Sequence, residues 1–104
     1  MDLNRLARCL ADPTRTHILD ILARGRQARC VSPDRDGGVC VCDIVAGLGL
    51  SQSRISYHLK ELKEAGLVTE TTRGWWKYYA LSPGVFHELA RELVSRYGQR
   101  EEIR

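Results

Sequence analysis

Cys40-Val41-Cys42 sets two soft donors two residues apart. In an extended segment residues i and i+2 face the same way, so both sulfurs can converge on one ion. Thiolates select soft metals and metalloids over hard cations. A helix starting near Asp43 would place the positive end of its dipole beside the sulfurs and favour thiolate. Two further cysteines, Cys9 and Cys30, are available elsewhere. The same C-x-C spacing is also what two plain buried apolar cysteines would show. It is not the C-x-x-C of a thiol oxidoreductase, and no βαβ pattern surrounds it.

A second stretch, Leu50 to Leu67, carries polar chemistry of another kind. Ser51 is a good helix N-cap. Ile55, Leu59 and Leu62 recur at helical spacing and predict one buried stripe. Ser53, Tyr57 and Lys60 then fall on the opposite side, flanked by Gln52, Arg54 and Ser56. Such side chains can bond base edges and phosphates, although a solvated amphipathic helix has the same pattern. Gly66 predicts the end of this helix.

The elements that must position these groups follow in chain order. Leu3, Leu6, Ala7 and Leu10 predict a first short helix. Asp12-Pro13 opens a second, with Ile18, Leu19 and Leu22 on its apolar face and Gly25 as its stop. Arg26 to Gly38 reads as a loop. Val39 to Asp43 begins as a short strand, and Ile44, Val45 and Leu48 predict a brief helix. A glycine turn at 47–50 then leads into the polar-faced helix, which makes a helix-turn-helix pattern. Val68 to Thr72 reads as a strand, Arg73-Gly74 as a tight turn, and Trp75 to Leu81 as a second strand, together a β-hairpin in the place of a wing. Ser82 and Pro83 open a last helix whose apolar face is Phe86, Leu89, Ala90, Leu93 and Tyr97. Too little chain follows to cover that face. With the Leu3–Leu10 stripe it suggests a dimer interface, unless both stripes pack on their own core. His17 reads as structural, His58 as a DNA-backbone contact or a cover for the core edge, and His87 and Glu88 as a solvated helix face.

The chain has 104 residues, 43% of them hydrophobic and 28% charged, which predicts one small globular domain rather than disorder. A net charge of +3 permits nucleic-acid binding without proving it. No apolar run is long enough to span a membrane and the first residues lack a signal-peptide core, so the expectation is a cytoplasmic protein with no membrane partner. There the cysteines stay reduced.

Several stretches together resemble the ArsR/SmtB family of metalloregulatory repressors. They are Ala11-Asp12-Pro13-Thr14-Arg15, Val39 to Ile44, Leu50 to Lys60, Gly66-Leu67-Val68, and Arg73 to Tyr79 with Leu81-Ser82-Pro83. The resemblance implies a mainly α fold with a β-hairpin wing (α+β), a homodimeric winged helix-turn-helix, and no catalytic residue. Residues 1–104 would be a single DNA-binding domain. The helix-turn-helix covers about 42–66, the wing about 67–81, and the dimerisation helices about 2–11 and 83–97. The implied activity is repression: the protein binds double-stranded operator DNA and leaves it when a soft ion binds. Gln52, Ser53, Arg54, Ser56 and Tyr57 lie on the implied DNA-reading helix, and Lys60 and the wing residue Arg73 would face phosphate or the minor groove.

The resemblance also places Cys40 and Cys42 at the sensing site of the thiolate branch, whose inducers are arsenite, antimonite, cadmium or lead. The arsenical pattern has a third cysteine where this chain has Val45. Cys30 is then the first choice of third ligand and Cys9, reaching across a dimer, the second. The cadmium branch uses cysteines from an arm before the first helix, where only a stub stands here. The zinc branch's first pair of ligands falls on Pro83 and Val85. Arsenite or antimonite is therefore the expected inducer, with a cadmium-, lead- or thiol-redox-sensing repressor of the same fold as the alternative.

Overall fold

The computed structural model describes residues 1–24 and 38–100. Among the described residues, five helices and a three-stranded sheet follow one another in this order. They are α1 (Leu3–Leu10), α2 (Pro13–Arg24), β1 (Val39–Cys40), α3 (Val41–Leu48), α4 (Gln52–Glu64), β2 (Val68–Arg73), β3 (Trp76–Leu81) and α5 (Val85–Tyr97). The expected stop at Gly25 and most of the expected loop, Cys30 included, lie outside the described residues.

Local chemistry sets most of these boundaries. Asp2 caps α1 by accepting from the Arg5 N–H. Asp12 does the same for α2, taking the Thr14 N–H at 2.8 Å and the Arg15 N–H at 3.4 Å. Between α3 and α4 the chain turns through Gly49 at φ +68°, a conformation costly for any residue with a Cβ. Ser51 caps α4 through the Arg54 N–H. After Ala65 the helix closes with two reversed bonds, Gly66 N–H to the Lys63 carbonyl and Leu67 N–H to the Leu62 carbonyl.

The core collects one apolar stripe from each helix. Ile18, Ile44, Ile55, Leu59, Leu62 and Leu67 are fully buried. Leu6 and Cys9 of α1 and Leu89 of α5 join them. Leu6 therefore faces its own protomer's core, and the α1 stripe is largely used there.

The hairpin is built as expected but its turn is shifted by one residue. Arg73 is the last residue of β2, opposite Trp76, and the two-residue turn is Gly74-Trp75. Gly74 takes φ +58°, and among the described residues no non-glycine residue, Trp75 included, has positive φ, the arrangement of a type II′ turn. The start of α5 also differs from expectation. The Ser82 N–H is tied to the Leu67 carbonyl, which keeps Ser82 with the sheet instead of capping a helix. Gly84 occupies the N-cap and α5 begins at Val85.

β3 is the central strand, in the order β1-β3-β2, antiparallel to both neighbours. Glu70 on β2 stands directly opposite Tyr79 on β3. The Tyr79 hydroxyl donates to the Glu70 carboxylate at 2.5 Å, and Lys63 of α4 donates to its other oxygen at 3.4 Å. The Tyr79 hydrogen bond, helped by the Lys63 charge, holds the Glu70 carboxyl below its usual range despite partial burial. Burial and then the carboxylate push the Tyr79 hydroxyl up. Tyr79→Phe should cost about 1.5–3 kcal/mol in urea unfolding at neutral pH, since it deletes one hydrogen bond to a charged group. A depressed carboxyl contributes stability above its unfolded value of 4.5 that is lost as pH falls through the folded value. The gap between wild type and variant should therefore close on acidification. The raised Tyr79 hydroxyl keeps its contribution up to its unfolded value of 10.0 and loses it only above.

Candidate functional site

The α4 helix turns one face inward and the other to solvent, as its spacing requires. Ile55, Leu59 and Leu62 are fully buried, whereas Gln52, Ser53, Arg54, Ser56, Tyr57 and Lys60 are all exposed. Tyr57 is 56% exposed. Arg73 is exposed at the wing end of β2.

Tyr57 is also held from beneath, by a network that spacing rules do not disclose. Arg15 of α2 donates through Nε to His58 Nδ1 at 3.2 Å, and its guanidinium carbon lies 6.0 Å from the Tyr57 ring centroid. Tyr57 and His58 meet edge to face with centroids 5.3 Å apart. His58 is buried at the edge of the core. His17, by contrast, is exposed on α2. The only sequence signal for Arg15 is its membership of the Asp-Pro-Thr-Arg stretch.

Cys9 belongs to the same network. Its thiol donates to the Glu61 carbonyl at 3.9 Å and accepts from Arg15 at 3.7 Å. It is 3% exposed, packed between α1, α2 and α4.

Cys40 and Cys42 come together, but not by strand alternation. The strand ends at Cys40, which is the N-cap of α3, and Cys42 is already the second helical residue. The Cys40 side chain folds over the helix end and accepts the Cys42 N–H at 3.4 Å. The two sulfurs are joined as a disulfide, with Cα atoms 5.3 Å apart, against the expectation that these cysteines stay reduced; reduction would leave two thiols side by side. The sulfur of Cys40 thus sits at the positive end of α3, with one first-turn N–H directed at it. Cys40 is buried and Cys42 half-buried. Asp43, one residue on, has both carboxylate oxygens buried without a hydrogen-bond partner.

Reduced, this pair would offer two converging sulfurs. Among the described residues no third His, Cys, Asp or Glu completes a metal-binding cluster with them. Cys30 lies outside the described residues. Cys40 is also joined to the sheet, since β1 pairs with β3 through Val39 opposite Tyr79 and Cys40 opposite Tyr78. The thiol pair thus touches two elements at once: α3, which packs on α4, and β3, which runs from the wing turn toward α5. Among the described residues no helix is long and apolar enough to cross a membrane.

Residues 35–70 match the family model described as bacterial regulatory protein, arsR family. An arsenic resistance transcriptional regulator of Pseudomonas putida is 40% identical over 78 residues, which cover 75% of this chain and 52% of that protein. The chain thus matches about half the length of this relative. The regulator CmtR of Mycobacterium bovis is 39% identical over 93 residues, covering 88% of this chain and 68% of that one. A crystal structure of a possible transcriptional regulator for arsenical resistance superposes with a TM-score of 0.66 at 32% identity, covering 86% of this chain and 81% of the other. With its helix-turn-helix, its wing and these relatives, the chain belongs to the ArsR family of bacterial regulatory proteins.

Proposed function

We propose that this protein is a homodimeric repressor that binds operator DNA through α4 and the wing and releases it when arsenite or antimonite binds the cysteine thiolates. The observation that carries the reading is the pair of converging sulfurs at the start of the helix that packs on α4. The arsenic-resistance name of the Pseudomonas relative supports the choice of ion. The ligand set is Cys40 and Cys42, with Cys30 as third donor; burial of Cys9 in its own core argues against the second choice.

The dimer rests on α5. Leu93, Val94 and Tyr97 are 42%, 67% and 67% exposed, a large apolar surface on one short helix. A two-fold dimer would present its two α4 helices to successive major grooves about 34 Å apart. Lysine and arginine contacts to phosphate supply much of the affinity, and base-edge contacts from Gln52, Ser53, Ser56 and Tyr57 supply sequence preference. Drawing the sulfurs around an ion moves the N-terminus of α3 and the β1 edge together. It weakens DNA binding by the difference in ion affinity between free and bound states, about 1–3 kcal/mol.

The test is fluorescence anisotropy on a duplex selected by the protein from a randomised pool, challenged with arsenite, antimonite, cadmium, lead, zinc and peroxide. Release by arsenite or antimonite is expected; release by peroxide alone would favour a redox sensor built on the same thiols. Gln52→Ala or Tyr57→Ala should weaken the selected duplex by about 1–3 kcal/mol relative to unrelated DNA. Lys60→Ala should weaken all duplexes alike and reduce the salt slope by about one. Unchanged binding in all three variants would remove α4 from the interface.

A further inference from the structure

Trp75 is completely exposed, at the tip of the wing. Nothing in the fold requires an indole there: a type II′ turn needs glycine at its first central position, which Gly74 supplies, and leaves the second open to polar residues. A fully solvated tryptophan is an exposed apolar surface without a structural role. It does not stand alone. One groove of about 570 Å³ is lined by Trp75 and Lys77 of the wing together with Gln52, Ser56 and Lys60 of α4. Its acidic groups are engaged within the protein, Glu70 by Lys63 and Tyr79, and Glu64 by Arg5. The wing tip and the face of α4 therefore belong to one concave surface, with Lys60 and Lys77 on either side.

We propose that Trp75 is a DNA-deforming wedge that enters the minor groove beside the major groove read by α4. This rests on the DNA-binding reading above and extends it. A single sugar-phosphate strand separates a major groove from the next minor groove. With α4 in the major groove that strand occupies the groove between α4 and the wing, where Lys60 and Lys77 flank it, and the turn that follows overhangs the minor groove. An indole there meets base edges from the side on which apolar wedges unstack a step and kink the duplex. Unstacking costs least at TA and CA/TG steps, so the wedge adds sequence preference at a position that no hydrogen bond reads.

The test compares wild type, Trp75→Ala and Trp75→Phe on the selected duplex, measuring affinity by anisotropy and bend by end-to-end energy transfer. Trp75→Ala should lose about tenfold in affinity, as expected for removing one aromatic stacking contact. Its complex should be straighter, and its preference for a flexible step beneath the wing should vanish; Trp75→Phe should retain most of all three. Trp75 and Trp76 are the two tryptophans of the chain, so Trp76→Phe leaves a single reporter. Its emission should be quenched by the duplex and shielded from iodide in the complex. Because Trp75 is outside the core, thermal unfolding of the alanine variant should match wild type, which separates a lost contact from a lost fold.

Equal affinity and bend in Trp75→Ala, or a Trp75 that stays open to iodide in a complex that anisotropy shows is formed, would overturn the wedge while leaving DNA binding intact. A wild type that enriches no duplex would overturn both. A Trp75 signal with anionic phospholipid vesicles and none with DNA would assign the tip to a membrane surface instead and equally overturn the proposal.

Discussion

Cys40→Ser combined with Cys42→Ser should leave operator affinity unchanged and abolish release by arsenite, removing a response of about 5–150-fold in DNA affinity. Serine matches the thiol in size, and the N-cap role of Cys40 suits it well, because a hydroxyl accepts the Cys42 N–H at least as readily as sulfur does. The start of α3 should therefore survive or gain slightly in stability, while the soft donors are lost. Each single variant keeps one sulfur and should also fail to respond, since one thiolate from this site cannot draw β1 and α3 together around the ion. Cys30→Ser should weaken the response, and Cys9→Ser should affect stability more than sensing, given its contacts with Arg15 and the Glu61 carbonyl. X-ray absorption at the arsenic edge counts the ligands: three sulfurs in the wild type, two in Cys30→Ser and three in Cys9→Ser are expected. A double serine variant that still leaves DNA on arsenite addition would take these cysteines out of the mechanism.

Leu93→Glu should convert the dimer to monomers without unfolding them, and operator affinity should fall by about 100-fold or more because each half-site then binds alone. The reasoning is in the exposure. Leu93 is 42% exposed in the protomer and lies between the buried Leu89 and the exposed Tyr97, so a charge there is tolerated by the monomer and excluded from an apolar interface. Leu6 behaves differently. At 4% exposure it is inside the protomer's own core, and Leu6→Glu should unfold the chain rather than dissociate it. Sedimentation and circular dichroism on the two variants distinguish these outcomes. A wild type that sediments as a monomer at micromolar concentration, or a Leu93→Glu variant that stays dimeric, would take α5 out of the interface.

The helix-turn-helix and the wing were legible in the residues because their determinants are local. Ser51 as a cap, Ile55, Leu59 and Leu62 as one stripe, and Gly66 past the helix end all act within a few residues of one another, and the structure shows each in that role. The exposed side of α4 followed from the same periodicity. Errors arose where a local signal competed with a distant one. Ser82 has the chemistry of a cap, but Leu67 holds its N–H in the sheet and moves the cap to Gly84. Cys40 and Cys42 do converge, yet through the start of a helix rather than along a strand, because β1 ends after pairing two residues with β3. Leu6 and Leu93 looked equivalent as members of apolar stripes, and only packing separates the one that meets its own core from the one left at the surface. The support beneath Tyr57 lay furthest from local reading. Arg15 and His58 are 43 residues apart, and their hydrogen bond exists because α2 and α4 pack together. Caps, turns and periodicity act through neighbouring backbone groups and are written in consecutive residues; contacts between helices depend on how whole faces dock, which the burial of many side chains decides jointly.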